Sequence, residues 1–208
     1  MAIKSVIVLV RHGETEWSKS GQHTGLTDLP LTGDGERGAA DLRPALEKMS
    51  FGKVLISPLG RAQRTAELAG LSGDTEPDLL EWDYGAYEGR KTADIRQDLG
   101  DPNWTIWRDP IPAGATPGEQ PEDVAARCRR VIAELLPVLE SGEDCALVAH
   151  GHLLRILTAT WLGLPAVDGR LWALDAGALS RLGYEHETHV IRAWNAVVPA
   201  LKGTSEHH

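Results

Sequence analysis

Two hydrophobic periods alternate along the chain. Val6-Ile7-Val8-Leu9-Val10 is an unbroken aliphatic run, the pattern of a strand buried on both faces, and it ends at Arg11-His12-Gly13. Thr32-Gly33-Asp34-Gly35-Glu36 then offers a helix start, and Ala39, Leu42, Ala45, Leu46 and Met49 follow at helical spacing. Val54-Leu55-Ile56 predicts a second strand that runs through Ser57-Pro58-Leu59-Gly60-Arg61 into a helix over 62–69. From Glu119 a longer helix carries Val124, Cys128, Val131, Ile132, Leu135 and Leu139 on one stripe, with Pro137 expected to kink or loosen its last turn. Ala146-Leu147-Val148-Ala149 predicts a third strand, ending at His150-Gly151-His152, and helical spacing resumes over 153–162. Segments 178–184 and 189–197 read as two antiparallel strands joined by a turn. Such alternation predicts an α/β fold, a three-layer α/β/α sandwich with a mainly parallel central sheet. Residues 85–120 break the pattern. Rich in Trp, Pro, Gly and Asp, they predict a small helical and loop cap over the ligand edge of that sheet.

Composition narrows the class without fixing it. A chain of 208 residues, 42% of them hydrophobic, suits one domain with one core, here expected over 1–203, with 204–208 as a tail. The terminal Glu206-His207-His208 reads as the remnant of a purification tag, so those histidines receive no function. No stretch reaches the roughly 18 apolar residues of a membrane span, and Met1-Ala2-Ile3-Lys4 lacks the pattern of a signal peptide. The expected setting is cytoplasmic, with no membrane partner. A net charge of -9 argues against nucleic acid or an anionic membrane, both of which select a basic face. Cys128 and Cys145 match no zinc spacing and read as small buried hydrophobes.

Any anion site must therefore be a local concentration of cations, and the strand ends supply one. Three of them present Arg11 with His12, Arg61, and His150. In open α/β sheets ligands bind outside the carboxyl ends of the strands. Arginine offers a planar fork matched to phosphoryl oxygens, and helix N-termini add amide donors and a favourable dipole. Phosphoryl transfer needs neutralisation of equatorial charge more than covalent help, which such a pocket gives without a metal. A neutral imidazole in line with phosphorus then serves as nucleophile, provided its other N–H is held by an acceptor such as a backbone carbonyl; Gly13 permits the close turn. The departing alkoxide needs a proton, so a carboxyl group is required nearby.

At this point the residues carry a resemblance. Arg11-His12-Gly13-Glu14-Thr15, Ser57-Pro58-Leu59-Gly60-Arg61-Ala62, Leu80-Glu81-Trp82-Asp83-Tyr84-Gly85 with Glu88-Gly89, and Ala149-His150-Gly151-His152 resemble, in order, the motifs of the histidine phosphatase superfamily, which includes phosphoglycerate mutases and many phosphatases. The resemblance implies a catalytic set of His12, Glu81, Arg11, Arg61 and His150. His12 would be the phosphohistidine nucleophile, with Arg11, Arg61 and His150 binding the phosphoryl group. Glu81 would protonate the leaving alcohol and then deprotonate the attacking water. Ser18, Thr24, Gly25, Tyr84 and His152 match positions that line the substrate site, although His152 could equally cap the helix that starts there. Glu14 and Glu88 read as structural partners of the site. No cofactor and no metal are implied, since the arginines would repel a cation. The partners implied are a small phosphorylated metabolite and inorganic phosphate as product; helices or terminal strands could also pair two chains in a homodimer.

Phosphatase or mutase is the main fork. Between Gly89 and Gly118 the only cations are Arg90, Lys91, Arg96 and Arg108, without the paired arginines of mutases, and the serine of their Gly-Glu-Ser element is replaced at Gly118-Glu119-Gln120. Hydrolysis is therefore expected, with phosphoglycerate mutase as the alternative and a non-catalytic phosphate-binding protein as a second. The stretch from Arg11 to Thr32, with Trp104-Thr105-Ile106-Trp107-Arg108-Asp109 and Leu174-Asp175-Ala176-Gly177, is similar to the sedoheptulose-bisphosphatase branch and to actinobacterial acid phosphatases. Sugar phosphates become the leading substrates. Among the tryptophans, Trp161, Trp172 and Trp194 are expected in the core and Trp82, Trp104 and Trp107 around the pocket; His186 and His189 are expected to flank an inert surface turn.

Overall fold

The computed structural model describes residues 5–196; the expected tail over 204–208, the start of the chain and Val197 lie outside that range. Strand β1 (Ile7–Arg11) is followed by helices α1 (Glu16–Ser20), α2 (Gly33–Asp41) and α3 (Arg43–Leu46), then β2 (Phe51–Ile56), α4 (Gly60–Leu68) and β3 (Asp74–Thr75). After a cap containing α5 (Thr92–Leu99) come α6 (Pro121–Glu140), β4 (Asp144–Ala149), α7 (Gly151–Trp161) and the hairpin β5 (Leu179–Glu185) and β6 (Thr188–Ala196). The six strands form one sheet in the order β3-β2-β4-β1-β5-β6. β3, β2, β4 and β1 run parallel, while β5 and β6 are antiparallel additions at one end.

Register sets up the site. Arg11 pairs with Ala149 and Ile56 with Val148, so β1, β4 and β2 end level with one another. The residues that follow, His12, His150 and Ser57, therefore emerge along one sheet edge. The sheet is buried on both faces because side chains alternate along each strand. Ile7, Leu9, Leu55, Cys145 and Leu147 pack with the stripe of α6 and with Leu153, Leu157 and Trp161 of α7. Val8, Val10, Ile56, Ala146 and Val148 face Leu42, Leu46, Ala62 and Ala66 on the other side. Among the described residues no helix is long and apolar enough to cross a membrane.

Several expectations change in detail. The helix opened by Thr32, whose hydroxyl accepts from the Gly35 amide at 3.0 Å, does not run on to Met49. It divides into α2 and α3 because Pro44, in the first turn of α3, has no amide to continue it. α6 starts at Pro121, two residues later than expected, and continues through Pro137 to Glu140. Trp161 is buried, but Trp172 and Trp194 are only half-buried, paired edge to face at 6.1 Å beside the terminal hairpin. His189 flanks the turn as expected but packs inward: its ring stacks on Trp161 at 3.8 Å, and Nδ1 donates to the Trp161 carbonyl at 2.8 Å.

Candidate active site

The level strand ends open onto a crevice of about 270 Å³. Arg11, His12, Ser18, Thr24, Glu81, Tyr84 and His152 line it, together with His23, Thr92 and Arg155. His12 occupies its floor and is 4% exposed. Its backbone is fixed by the sheet, with the amide donating to the Ala149 carbonyl at 2.9 Å and the carbonyl accepting from Gly177 at 3.0 Å. The ring nitrogen Nδ1 lies 2.7 Å from the Gly13 carbonyl. Burial, then the charges of Arg11 and Arg61, hold the imidazole well below the usual histidine pKa. A neutral ring facing a carbonyl through Nδ1 carries its proton there, which leaves the Nε2 lone pair free. Gly13 is required for this turn: a Cβ would lie 2.4 Å from the Gly35 carbonyl oxygen.

Arg11, Arg61 and His150 divide into two layers. Arg11 reaches the crevice wall, donating from Nη1 to the Leu174 carbonyl while its buried Nε has no protein partner. Arg61 and His150, 1% and 0% exposed, stand behind that wall. Arg61 donates to the carbonyls of Thr27 at 2.8 Å, Gly25 at 2.7 Å and Thr24 at 3.3 Å, so it also shapes the loop that carries Thr24. Its Nε donates to His150 Nδ1 at 3.2 Å, and His150 Nε2 in turn donates to the Ser57 hydroxyl at 2.7 Å. Burial and the Arg61 charge keep His150 neutral, its ring centre 5.1 Å from that of His12.

Glu81 sits on a segment with no regular secondary structure and is 5% exposed. Its carboxylate accepts from the amides of Trp82 at 2.9 Å, His152 at 3.0 Å and Leu153 at 2.8 Å. The first turn of α7 is thus capped by Glu81, and the His152 side chain is free for another role. Its Nδ1 is hydrogen-bonded to the Tyr84 hydroxyl. Burial and the charges of Glu81 and Glu88 hold Tyr84 well above the usual tyrosine pKa, so the phenol stays a donor. His152 is kept neutral by burial and by Arg155.

Of the expected substrate residues, Ser18, Thr24, Tyr84 and His152 line the crevice and Gly25 does not. Gly25 is buried, its amide held by the Glu88 carboxylate at 3.0 Å, and a Cβ there would meet the Trp82 carbonyl at 2.5 Å. Ser18 Oγ is also engaged in the cap of α1, accepting from the Thr15 amide at 2.9 Å. The tryptophans do not wall the crevice. Trp82 is buried with its indole N–H on the Glu119 carbonyl, and Trp82 and Trp107 back His152 edge on. Gly21, Gln22, His23, Thr92 and Arg155 also line the crevice, and no sequence motif pointed to them. His23, pushed down to about 4 by burial, lies beside Thr24, and Arg155 follows His152 by three positions on one face of α7. Arg155 lies over the Trp107 ring at 4.7 Å and donates to the Gly169 carbonyl at 2.8 Å.

Residues 7–197 match the model of the histidine phosphatase superfamily (branch 1). The chain is 37% identical to an acid phosphatase of Mycobacterium tuberculosis, covering 86% of this chain and 87% of that protein. It is equally 37% identical to the sedoheptulose 1,7-bisphosphatase of Saccharomyces cerevisiae, with coverage of 86% and 87%. A protein of Yersinia enterocolitica named as a phosphoglycerate mutase is 35% identical over 90% of this chain and 89% of its own. Among solved structures, the product of an open reading frame of Mycobacterium tuberculosis superimposes with a TM-score of 0.86 at 33% identity, over 94% of this chain and 99% of that one.

Proposed function

The chain belongs to the histidine phosphatase superfamily, and we propose that it is a phosphatase that hydrolyses small phosphorylated metabolites, sugar phosphates foremost, through a phosphohistidine on His12 and without a metal. One observation carries the reading: the Nδ1 proton of a neutral, buried His12 is tied to the Gly13 carbonyl, so that Nε2 is a ready nucleophile beside the Arg11 charge. Nε2 attacks phosphorus, a P–N bond forms and the P–O bond to the alcohol breaks. Glu81 gives its proton to the departing oxygen. Water then attacks the phosphohistidine, Glu81 takes its proton, the P–N bond breaks and inorganic phosphate leaves. Arg11 holds the phosphoryl oxygens at the wall, while Arg61 and His150 supply charge and polarity from behind it.

The outer crevice supports a hydroxylated substrate. Thr24, His23, Tyr84, Thr92 and His152 offer hydrogen-bonding groups, and Arg155 adds a cation. The named activities of the M. tuberculosis and yeast relatives point the same way. A mutase reading has less to stand on, because three of the four cap cations are engaged elsewhere. Arg90 pairs with Asp98, Arg96 donates to the Trp104 carbonyl, and Arg108 pairs with Asp101 and Asp109. A non-catalytic binder would not need both His12 and Glu81. Two buried free cysteines suit the reducing cytoplasm, where such metabolites occur. The test is a panel of sugar phosphates and phosphoglycerates with chelator present, scored for phosphate release, isomerised product and an acid-labile phosphoenzyme. Phosphate release with a labelled enzyme is the expected result. Rapid phosphoglycerate interconversion with little phosphate would replace it with the mutase reading, and an unlabelled protein would remove the phosphohistidine.

A further inference from the structure

The Gly118-Glu119 element takes no part in the chemistry above, yet Glu119 is tied to Arg127 on α6. All five guanidinium N–H groups of Arg127 are engaged. Nε and Nη2 donate to the two Glu119 carboxylate oxygens, each at 2.8 Å. Nη1 donates to the carbonyls of Asp78 at 2.7 Å and Leu80 at 2.9 Å, and Nη2 to that of Glu81 at 3.4 Å. Glu119 holds the next two residues: its carbonyl accepts from Trp82 Nε1 at 2.7 Å, its carboxylate from the Asp83 amide at 3.0 Å, and its amide donates to the Asp83 carbonyl at 2.9 Å.

Every residue from Leu80 to Asp83 is thereby held by Arg127 or Glu119, Trp82 through the Glu119 backbone carbonyl, in a segment that no helix or strand ladder fixes. On its other side the Glu81 carboxylate is already held by the amides of Trp82, His152 and Leu153. Burial works against the charge of Arg127, but the bonds to Glu119 outweigh it and raise its pKa. A planar fork that meets three convergent carbonyls and a carboxylate is replaced only in part by lysine, which is a point charge.

We infer that the Arg127 and Glu119 pair is a positioning device for Glu81, holding its backbone so that the carboxyl group meets the leaving oxygen and the attacking water. The inference rests on Glu81 being the acid and base. That dependence gives the test, because p-nitrophenolate leaves without a proton whereas a sugar alkoxide needs one. Glu81→Gln, Arg127→Met and the double variant are compared on p-nitrophenyl phosphate, by the first-turnover burst, and on the sugar phosphate hydrolysed fastest in the panel.

Arg127→Met is expected to lower kcat on the sugar phosphate on the order of 100-fold with little change in KM, as misplacement of a catalytic group does. The p-nitrophenolate burst rate should fall by less than about threefold, and Arg127→Met should add less than about twofold in the Glu81→Gln background. Arg127→Lys should recover part of the loss. Arg130→Met, which breaks the exposed pair with the Asp78 carboxylate and a 3.4 Å bond to the Ala126 carbonyl, should leave both rates unchanged. If Arg127→Met does not fold, Glu119→Gln keeps the shape, removes the charge and carries the same comparison. Equal losses on both substrates, or an undiminished loss in the Glu81→Gln background, would overturn the positioning role alone. A Glu81→Gln enzyme indifferent to the leaving group would overturn the role of Glu81 and this inference with it.

Discussion

A nucleophilic imidazole among arginines works only if it is neutral and has one nitrogen free. His12 meets both conditions, since burial and two guanidinium charges strip its second proton and the Gly13 carbonyl holds the remaining one on Nδ1. His12→Ala should abolish the acid-labile phosphoenzyme, read by trapping with labelled substrate. Glu81→Gln should still form phosphoenzyme from an activated ester while turnover of sugar phosphates falls on the order of 100- to 10,000-fold, the usual range for general acid-base catalysis. An unlabelled Glu81→Gln enzyme or undiminished turnover would contradict the division of roles. Sequence exposed these residues because each follows a strand or stands in a short motif with its helpers. Gln22, His23 and Arg155 were not legible in that way. They reach the crevice through a loop and along a helix face, and nothing local to Gln22-His23 or to Leu154-Arg155 says which way that loop or face turns.

At the level of elements, the longer strands were the easiest to read and matter most; β3, two exposed residues at the sheet edge, carries no hydrophobic pattern and was not legible. Unbroken aliphatic runs such as Val6 to Val10 and Ala146 to Ala149 need cover on both faces, and their alternation with helical patterns implies a parallel sheet between helix layers. Their level ends, which juxtapose His12, Ser57 and His150, depend on inter-strand register and so on contacts between distant segments. Proline positions were visible, but their outcomes differed. Pro44 separates α2 from α3, whereas Pro137 lies in the last turn of α6, where the packing of Leu135 and Leu139 carries the helix past it. Pro137 is exposed and withholds one helical amide. Pro137→Ala should therefore stabilise the protein by about 1–2 kcal/mol, less than the full penalty of an interior proline because proline also restricts the unfolded chain. Urea denaturation would check this, and a lower midpoint in the variant would show that the ring itself packs usefully.

Across the whole molecule, the crevice concentrates histidines that the fold keeps uncharged. His12, His23, His150 and His152 all lie below the ordinary histidine pKa, with burial the leading cause in each case. The unfolded chain would protonate them near 6.5, so between that pH and their folded values it binds more protons than the native state. Stability from this source is complete above about pH 6.5. It is lost as pH falls, and for His23 the loss ends near its folded value of about 4. His23 alone should account for about 3 kcal/mol across that window, the linkage equivalent of its shift. Denaturant titrations at pH 7 and pH 4.5 should show a steep acid limb, and His23→Gln should flatten it while leaving the limb due to the other three histidines. Phosphate ought to act in the opposite sense at neutral pH, where the site is a preformed cation pocket. Bound to the native state only, it should raise the unfolding midpoint in proportion to the logarithm of its concentration above Kd. A native state equally stable at pH 4.5 and pH 7 would mean that folded and unfolded chains take up the same number of protons over that range, and so that the fold does not hold these imidazoles, His12 among them, below their ordinary pKa.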